Sequence, residues 1–141
     1  MKVLIDTCVV LDYLENREPF FDDALNLMIT AANGEVDACI TASSATDLFY
    51  IIHRKLHDNE RSREVMKRLT RFLSVIDTEA KDCIMAQESG VSDYEDAVMI
   101  ESAGRTNMEY IITRNEKDYA ASSVPVISPA AFLDHLEQEY N

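Results

Sequence analysis

Short apolar runs alternate with segments of helical periodicity along the whole chain. In the segments between the runs, apolar residues recur every three or four positions, which is typical of amphipathic helices. Strands that alternate with helices build a parallel sheet covered on both faces. The pattern predicts an α/β fold: a three-layer α/β/α sandwich with a central, mostly parallel sheet of about five strands, and seven helices. The predicted strands are residues 3–5, 37–41, 73–76, 110–112 and 124–127.

Capping and turn residues mark the ends of several predicted helices. Asn33-Gly34 ends a helical pattern over residues 20–32, and Ser43-Ser44 is expected to cap a helix that runs to residue 56. Residues 92–95 have the pattern of a capping box. A helix rich in basic residues is predicted over residues 59–73.

Composition indicates a folded protein of ordinary character. Apolar residues make up 47% of the 141 residues, with only 3 Gly and 3 Pro, so we expect one domain over residues 1–141. No apolar run approaches a membrane span, and the chain reaches Asp6 before a signal-peptide core is possible, so we expect a cytoplasmic protein. Cys8, Cys39 and Cys83 contain no C-x-x-C pair, which favours reduced thiols over a disulfide framework or a zinc site.

Charge is distributed unevenly. The net charge is -13, yet residues 54–71, called the basic segment below, carry seven of the thirteen basic residues and a net charge of +4. One interpretation is a solvated helix face, as most exposed charge runs are. The other is a ridge that contacts phosphates beside an acidic centre. In that case Arg63, Lys67 and Arg71 are the candidates to position a substrate.

Oxygen-bearing side chains fall near the carboxyl ends of the predicted strands, where parallel sheets place their functional crevice. Asp6 ends the first strand, Asp47 lies one turn into the helix after the second, and Asn115 and Asp118 follow the fourth. Asp96, in the first turn of the helix before the fourth strand, can reach the same place. Clustered carboxylates repel one another unless a cation lies between them, and hard oxygen ligands select Mg²⁺ or Mn²⁺. This indicates metal-assisted phosphodiester hydrolysis.

Each acid also has a structural interpretation. Asp47 and Asp96 are placed in first helical turns, where the helix dipole favours a negative charge. Asp93 is expected to be a cap or first-turn residue, and its contribution to a metal site is left open. Asp6 is different, because ending a buried strand on an acid desolvates a charge without benefit to the core.

Five stretches of the chain, taken in order, resemble the PIN-domain family, and within it the toxin-like, VapC-type ribonucleases of toxin-antitoxin pairs. The resemblance covers residues 3–133. It implies a metal-dependent endoribonuclease for single-stranded RNA, whose acidic quartet holds one or two Mg²⁺ or Mn²⁺ ions. The stretches are LIDTCVVLDYL, TASSATDLFYII, SDYEDAVMIESA, YIITRNEKDYA and VPVISPAAFL.

Residue by residue, the resemblance places the family's first three acids on Asp6, Asp47 and Asp96. The first three are the implied metal ligands. The fourth acidic region falls on Asn115, with Asp118 close behind.

Thr113 matches the family's hydroxyl at the strand end. Three positions depart from the family pattern. Cys8 stands where Asn is usual, Asp47 stands where the longer Glu is usual, and Asn115 replaces an acid.

Several other classes of protein are excluded by single positions. A haloacid-dehalogenase phosphatase needs a second acid two residues after Asp6, where Cys8 stands, and a receiver domain needs a paired acid couple after the first strand. The glycines at 34, 90 and 104 cannot form a dinucleotide-binding G-x-G-x-x-G loop. The remaining alternative is a catalytically weak or inactive PIN-fold module that binds RNA or a protein partner without cutting.

The resemblance also implies partners. A toxin-like nuclease needs a cognate antitoxin, and an Arg side chain inserted among the acids would be attracted by their negative potential. A homodimer is implied as well, with Phe49, Tyr50 and His53 as candidate interface residues.

Overall fold

Five parallel strands form the central sheet of the structure, a computed structural model that describes residues 1–141. The strands lie in the order β3-β2-β1-β4-β5, with β1 at the centre. Parallel neighbours need crossover connections, and helices supply them. The strands are β1 Lys2–Ile5, β2 Asp37–Thr41, β3 Ser74–Ile76, β4 Tyr110–Ile112 and β5 Val126–Ile127. The helices are α1 Thr7–Leu14, α2 Phe21–Ala32, α3 Ala42–Leu56, α4 Asn59–Leu69, α5 Ala80–Gln87, α6 Tyr94–Arg105 and α7 Pro129–Tyr140, with a 3₁₀ helix over Glu116–Tyr119.

Two hydrophobic cores lie on opposite faces of this sheet. Val3 and Ile5 belong to the larger core, which α1, α2, α3 and α7 share, whereas Leu4 belongs to the core beneath α6. Successive side chains of a strand point to opposite faces, so β1 contributes to both cores. The predicted α/β/α sandwich with five strands and seven helices is confirmed.

The starts of two helices differ from the sequence prediction. Thr41, the last residue of β2, caps α3 by accepting the backbone N–H of Ser44 at 3.0 Å, so the cap precedes the predicted Ser43-Ser44. Asp93 caps α6 by accepting the N–H of Asp96 at 3.0 Å, and no capping box forms over residues 92–95. In both cases another short polar side chain near the predicted cap, Thr41 or Asp93, accepts the free N–H group at the start of the helix.

A buried ion pair fixes α6 against α5. Asp82 on α5 is 2% exposed and accepts hydrogen bonds from Arg105 Nη2 at 2.9 Å and from Ser102 Oγ at 3.0 Å. Both donors lie on α6. The contact therefore sets the position of the helix that carries Asp96.

None of the seven helices combines the length and the apolar character needed to cross a membrane. The three cysteines are free thiols, of which Cys39 is buried and Cys8 and Cys83 are partly exposed.

Candidate active site

The carboxylate of Asp6 is fixed at the end of β1. Its backbone N–H donates to the carbonyl of Ile112 at 2.9 Å, which continues the pairing of β1 with β4. Thr113 Oγ1 donates to Asp6 Oδ2 at 2.7 Å, and the Cys8 thiol donates to the same oxygen at 3.2 Å. Asp6 occupies the capping position of α1 but makes no capping bond. Its side chain, 6% exposed, is therefore directed by its neighbours at the sheet edge rather than by the helix.

The thiol of Cys8 acts as a donor in this arrangement. Burial, with a further contribution from the charge of Asp6, raises the pKa of Cys8 to about 12. The thiol is consequently protonated at neutral pH and is not an activated nucleophile. Cys8 thus supplies a weak hydrogen-bond donor at the position where the family pattern has Asn.

Asp96 is held in the first turn of α6 by two contacts. Its backbone N–H is capped by Asp93, and its Oδ1 accepts a hydrogen bond from the buried Tyr119 hydroxyl at 3.0 Å. Desolvation raises the pKa of Asp96 to about 6, and repulsion from Asp6, Asp93 and Asp118 adds to the rise, against the opposing effect of the Tyr119 hydrogen bond. These charges are close enough to feel one another, as expected for an acidic centre.

Asp47 lies against Glu95, a residue that the sequence analysis did not single out. Partial desolvation raises the pKa of Glu95 to about 7, and a hydrogen bond shared with Asp47 and repulsion from Asp47, Asp93 and Asp6 add to it. Asp47 is the sixth residue of α3, which starts at Ala42, so it lies beyond the first turn where the helix dipole acts. An interaction with the helix dipole therefore does not explain why an acid stands at position 47.

The fourth acidic region lies on the exposed side of the site. The backbone N–H of Asn115 donates to Thr113 Oγ1 at 3.0 Å, and the Asn115 side chain makes no hydrogen bond. Asp118, in the 3₁₀ helix, is exposed and near enough to Asp96 to raise its pKa. Of the two, Asp118 is the one that adds charge to the acidic centre.

The basic segment does not contact this centre. Arg63, Lys67 and Arg71 are exposed, and no hydrogen bond or ion pair joins them to the acids of the site. Lys67 pairs with Glu64 on the same helix at 3.4 Å. The geometry is compatible with both interpretations of the segment.

The acids converge without forming a closed ligand cage. No three His, Cys, Asp or Glu side chains are grouped closely enough to hold a metal ion in the present rotamers. The donor set nevertheless suits a hard divalent cation, because it consists of carboxylates. Desolvation, and after it repulsion from neighbouring carboxylates, raises the pKa values of Glu95 and Asp96, and a bound cation would relieve both penalties.

Sequence reasoning missed two residues of the site. Glu95 was visible only as a member of the predicted capping box, although residues 93, 95 and 96 form an acidic run. Tyr119 carries no motif of its own, and its contact with Asp96 spans 23 positions. Only the packing of the 3₁₀ helix on α6 brings that pair together.

Comparison with solved structures finds toxin-antitoxin proteins of the same fold. VapBC2 from Rickettsia felis, bound to a promoter DNA fragment, superposes with a TM-score of 0.65 at 17% identity over 91% of this chain and 98% of that chain. A toxin-antitoxin complex from Klebsiella pneumoniae gives 0.64 at 21% identity over 90% and 97%. VapC20 from Mycobacterium tuberculosis, a toxin that cleaves the sarcin-ricin loop, gives 0.66 at 13% identity over 84% and 94%.

At sequence identities this low, the comparisons show that these proteins share the fold of this chain and nothing more. No curated protein sequence matches this chain. Residues 2–117 match the PIN domain family over most of the chain, including β1 through β4 and the segments that carry Asp6, Asp47 and Asp96. The chain belongs to the PIN domain family.

Proposed function

We propose that this protein is a metal-dependent endoribonuclease that hydrolyses phosphodiester bonds of single-stranded RNA, and that it is the toxin of a toxin-antitoxin pair. The observation that carries the proposal is the convergence of Asp6, Asp96 and the Asp47–Glu95 pair at one edge of the sheet, with raised pKa values at Glu95 and Asp96. A structural role explains this poorly, because grouped carboxylates without cations destabilise the fold.

The proposed metal ligands are Asp6, Asp96 and Asp47, with Mg²⁺ or Mn²⁺ as the ion. Thr113 and Cys8 hold the Asp6 carboxylate in one orientation through hydrogen bonds to one of its oxygens, which leaves the other oxygen, Oδ1, without a protein donor. When bound, such an ion lowers the pKa of a water molecule and neutralises charge that builds on the phosphate.

Glu95 is proposed to place a carboxylate at the metal site where the shorter side chain of Asp47 does not extend far enough. Asp47 is one methylene shorter than the Glu usual in the family, and Glu95 lies near enough for Asp47 to raise its pKa. Because the pKa of Glu95 is raised to about 7, a proton would compete with a cation for this carboxylate near neutral pH. Asp118 adds charge from the exposed side, where Asn115 replaces the family's acid.

Incubation of the purified protein with mixed RNAs tests the proposed activity. The RNAs are incubated with Mn²⁺ or with EDTA, and the new ends are mapped. We expect internal cuts in single-stranded regions that depend on the metal. Cuts of equal intensity in EDTA would contradict the proposal.

A PIN-fold module that binds without cutting is the second candidate. It is favoured by the open arrangement of the acids, since no three of them are grouped at metal-binding distance. Thermal unfolding with increasing Mn²⁺ distinguishes the two candidates. A functioning metal site gains stability as RT ln(1 + [L]/Kd), whereas an inactive module shows no metal-dependent gain.

An antitoxin partner is supported by the similar structures, which include complexes described as VapBC and as a toxin-antitoxin pair. The uncompensated charge at the acidic centre suits an inserted Arg side chain of such a partner. Competition between Mn²⁺ and a co-expressed protein encoded next to this one tests the proposal. If the affinity of that protein for this chain does not fall as the Mn²⁺ concentration rises, the proposed insertion of an Arg side chain among the acids is wrong.

A homodimer is proposed on the aromatic face of α3. Tyr50 is 68% exposed, and Phe49 stacks on His53 with ring centroids 5.9 Å apart. An exposed aromatic surface of this kind suits a protein interface. Sedimentation of the isolated protein at micromolar concentration is expected to show a dimer, and a clean monomer contradicts it.

A further inference from the structure

A second cluster of charged residues lies beside the acidic centre, around the buried Asp12 of α1. Asp12 is 1% exposed. Arg114 Nε donates to Asp12 Oδ2 at 2.8 Å and Arg114 Nη2 to Oδ1 at 3.4 Å, while Arg17 Nη1 lies 3.8 Å from the same Oδ1. One buried carboxylate thus holds two guanidinium groups side by side.

The cluster is positive in a chain that is strongly negative. Glu15 accepts a hydrogen bond from Arg17 Nε at 2.6 Å and pairs with Lys55 Nζ at 2.9 Å. Three cations against the two carboxylates of Asp12 and Glu15 leave one net positive charge, whereas the whole chain carries -13. A local excess of positive charge attracts a phosphate.

An exposed aromatic ring completes the cluster. The Arg114 guanidinium lies 4.3 Å from the ring centroid of Phe20, which remains 40% exposed. Proteins that bind single-stranded nucleic acid combine cations along the backbone with aromatic rings on which bases stack. Here both kinds of group lie together at the α1–α2 connection and its contact with residue 114.

The cluster adjoins the acidic centre through two short connections. Arg114 directly follows Thr113, whose hydroxyl is bonded to Asp6, and Asp12 lies on the helix that begins directly after Asp6. The charge of Asp6 contributes to raising the pKa of Arg114, after the larger effect of its hydrogen bond to Asp12. Of the basic segment, only Lys55 reaches this cluster, through its ion pair with Glu15.

We propose that Arg17, Phe20 and Arg114 form a subsite for one nucleotide of single-stranded RNA adjacent to the bond that is cut. The arginines contact the phosphate, and Phe20 stacks on the base. An arginine has five N–H donors, and the bonds of Arg114 to Asp12 leave donors free. This inference rests on the proposed ribonuclease function and deepens it.

Binding of RNA without cleavage is the appropriate measurement. The probe is a fluorescent single-stranded RNA of about 12 nucleotides, titrated with protein in EDTA over a series of salt concentrations. Arg17→Gln and Phe20→Leu are the test variants, because both residues are partly exposed and their replacement leaves the Arg114–Asp12 pair in place. Lys81→Gln is the matched control, since Lys81 on α5 is an exposed cation paired with Glu79.

The proposed subsite predicts a different effect on RNA binding for each of the two variants. Arg17→Gln is expected to reduce the log-log salt slope by about 0.7, the value for one phosphate contact on a single strand. Phe20→Leu is expected to weaken binding about 5-fold or more at unchanged slope, because stacking is not ionic. Lys81→Gln is expected to change neither quantity.

Two results would overturn the subsite. One is an equal salt slope for Arg17→Gln and Lys81→Gln, and the other is unchanged affinity for Phe20→Leu. If the wild-type protein still cuts RNA with Mn²⁺ in that case, only the subsite is wrong. If the wild-type protein neither binds nor cuts RNA, the proposed function fails with it.

Discussion

Replacing Asp96 by Asn is expected to stabilise the metal-free protein at neutral pH. The Asp96 carboxylate is desolvated and repelled by Asp6, Asp93 and Asp118. Asn has the same shape without the charge, and its Oδ1 accepts the Tyr119 hydrogen bond as the carboxylate does. The substitution therefore removes the repulsion and keeps the contact.

The size and sign of the effect follow from the pKa of Asp96. The pKa rises from 3.8 to about 6, which corresponds at most to about 3 kcal/mol of free energy of unfolding. Because the carboxylate is partly exposed, solvent screening reduces this to about 1 kcal/mol. The native state binds more protons than the unfolded state between these two values. The destabilisation is therefore absent below about pH 4, grows as pH rises, and is complete above about pH 6.

Thermal unfolding in EDTA at pH 4 and at pH 7.5 measures the effect. The stability of Asp96→Asn relative to wild type is expected to rise by about 1 kcal/mol between these pH values, or about 3 °C in Tm for a chain of this size. Glu137→Gln, which replaces an exposed acid on α7, is the control and is expected to have little effect at either pH. A difference between Asp96→Asn and wild type that is the same at both pH values, or that falls with pH, would refute the reasoning.

Three further variants test other parts of the molecule. Asp47→Glu is expected to keep or raise metal-dependent cleavage, because it restores the longer reach; loss of cleavage in Asp47→Glu but not in Asp47→Ala would show that Asp47 has no part in the site. Asp82→Asn removes the buried carboxylate that binds Arg105, while the partly exposed Arg105 keeps its ion pair with Glu79; the change is expected to cost about 2 kcal/mol of unfolding free energy, measured by urea denaturation. Replacement by Gln of all three candidate positioning residues, Arg63, Lys67 and Arg71, is expected to lower the log-log salt slope of RNA binding by up to about 0.7 per lost contact. An unchanged slope would show that the basic segment is only a solvated helix face.

The layers of the fold and its number of strands and helices follow from features that are local in sequence. Each strand is an apolar run of a few residues, and each helix has an amphipathic period, so alternation alone indicates the sandwich. The cap of α3 was misplaced by two or three positions because Thr41, Ser43 and Ser44 are all good capping residues. Capping preference alone cannot tell which of these three residues caps the helix, because the path of the chain as it leaves β2 determines which side chain reaches the free N–H groups.

The candidate site was predicted in part for a related reason. Asp6 and Thr113 lie at strand ends, and a parallel sheet brings strand ends to one edge whatever the side-chain details. The pair Asp12–Arg114 spans 102 positions and depends on how the loop after β4 packs on α1. No local pattern in the sequence encodes that packing, and Asp12 alone resembles any helical acid.

We propose above that the acids at the sheet edge bind a divalent cation and that the protein cuts RNA. Cleavage of a single-stranded RNA by wild type and by Asp6→Asn, prepared in parallel and matched for thermal unfolding, tests it most directly. With Mn²⁺ we expect the wild type to cut and Asp6→Asn to be slower by more than about 100-fold, because removing a metal ligand costs at least as much as removing a residue that orients one. Equal rates for the two proteins, or a wild-type rate that EDTA leaves unchanged, would contradict the account.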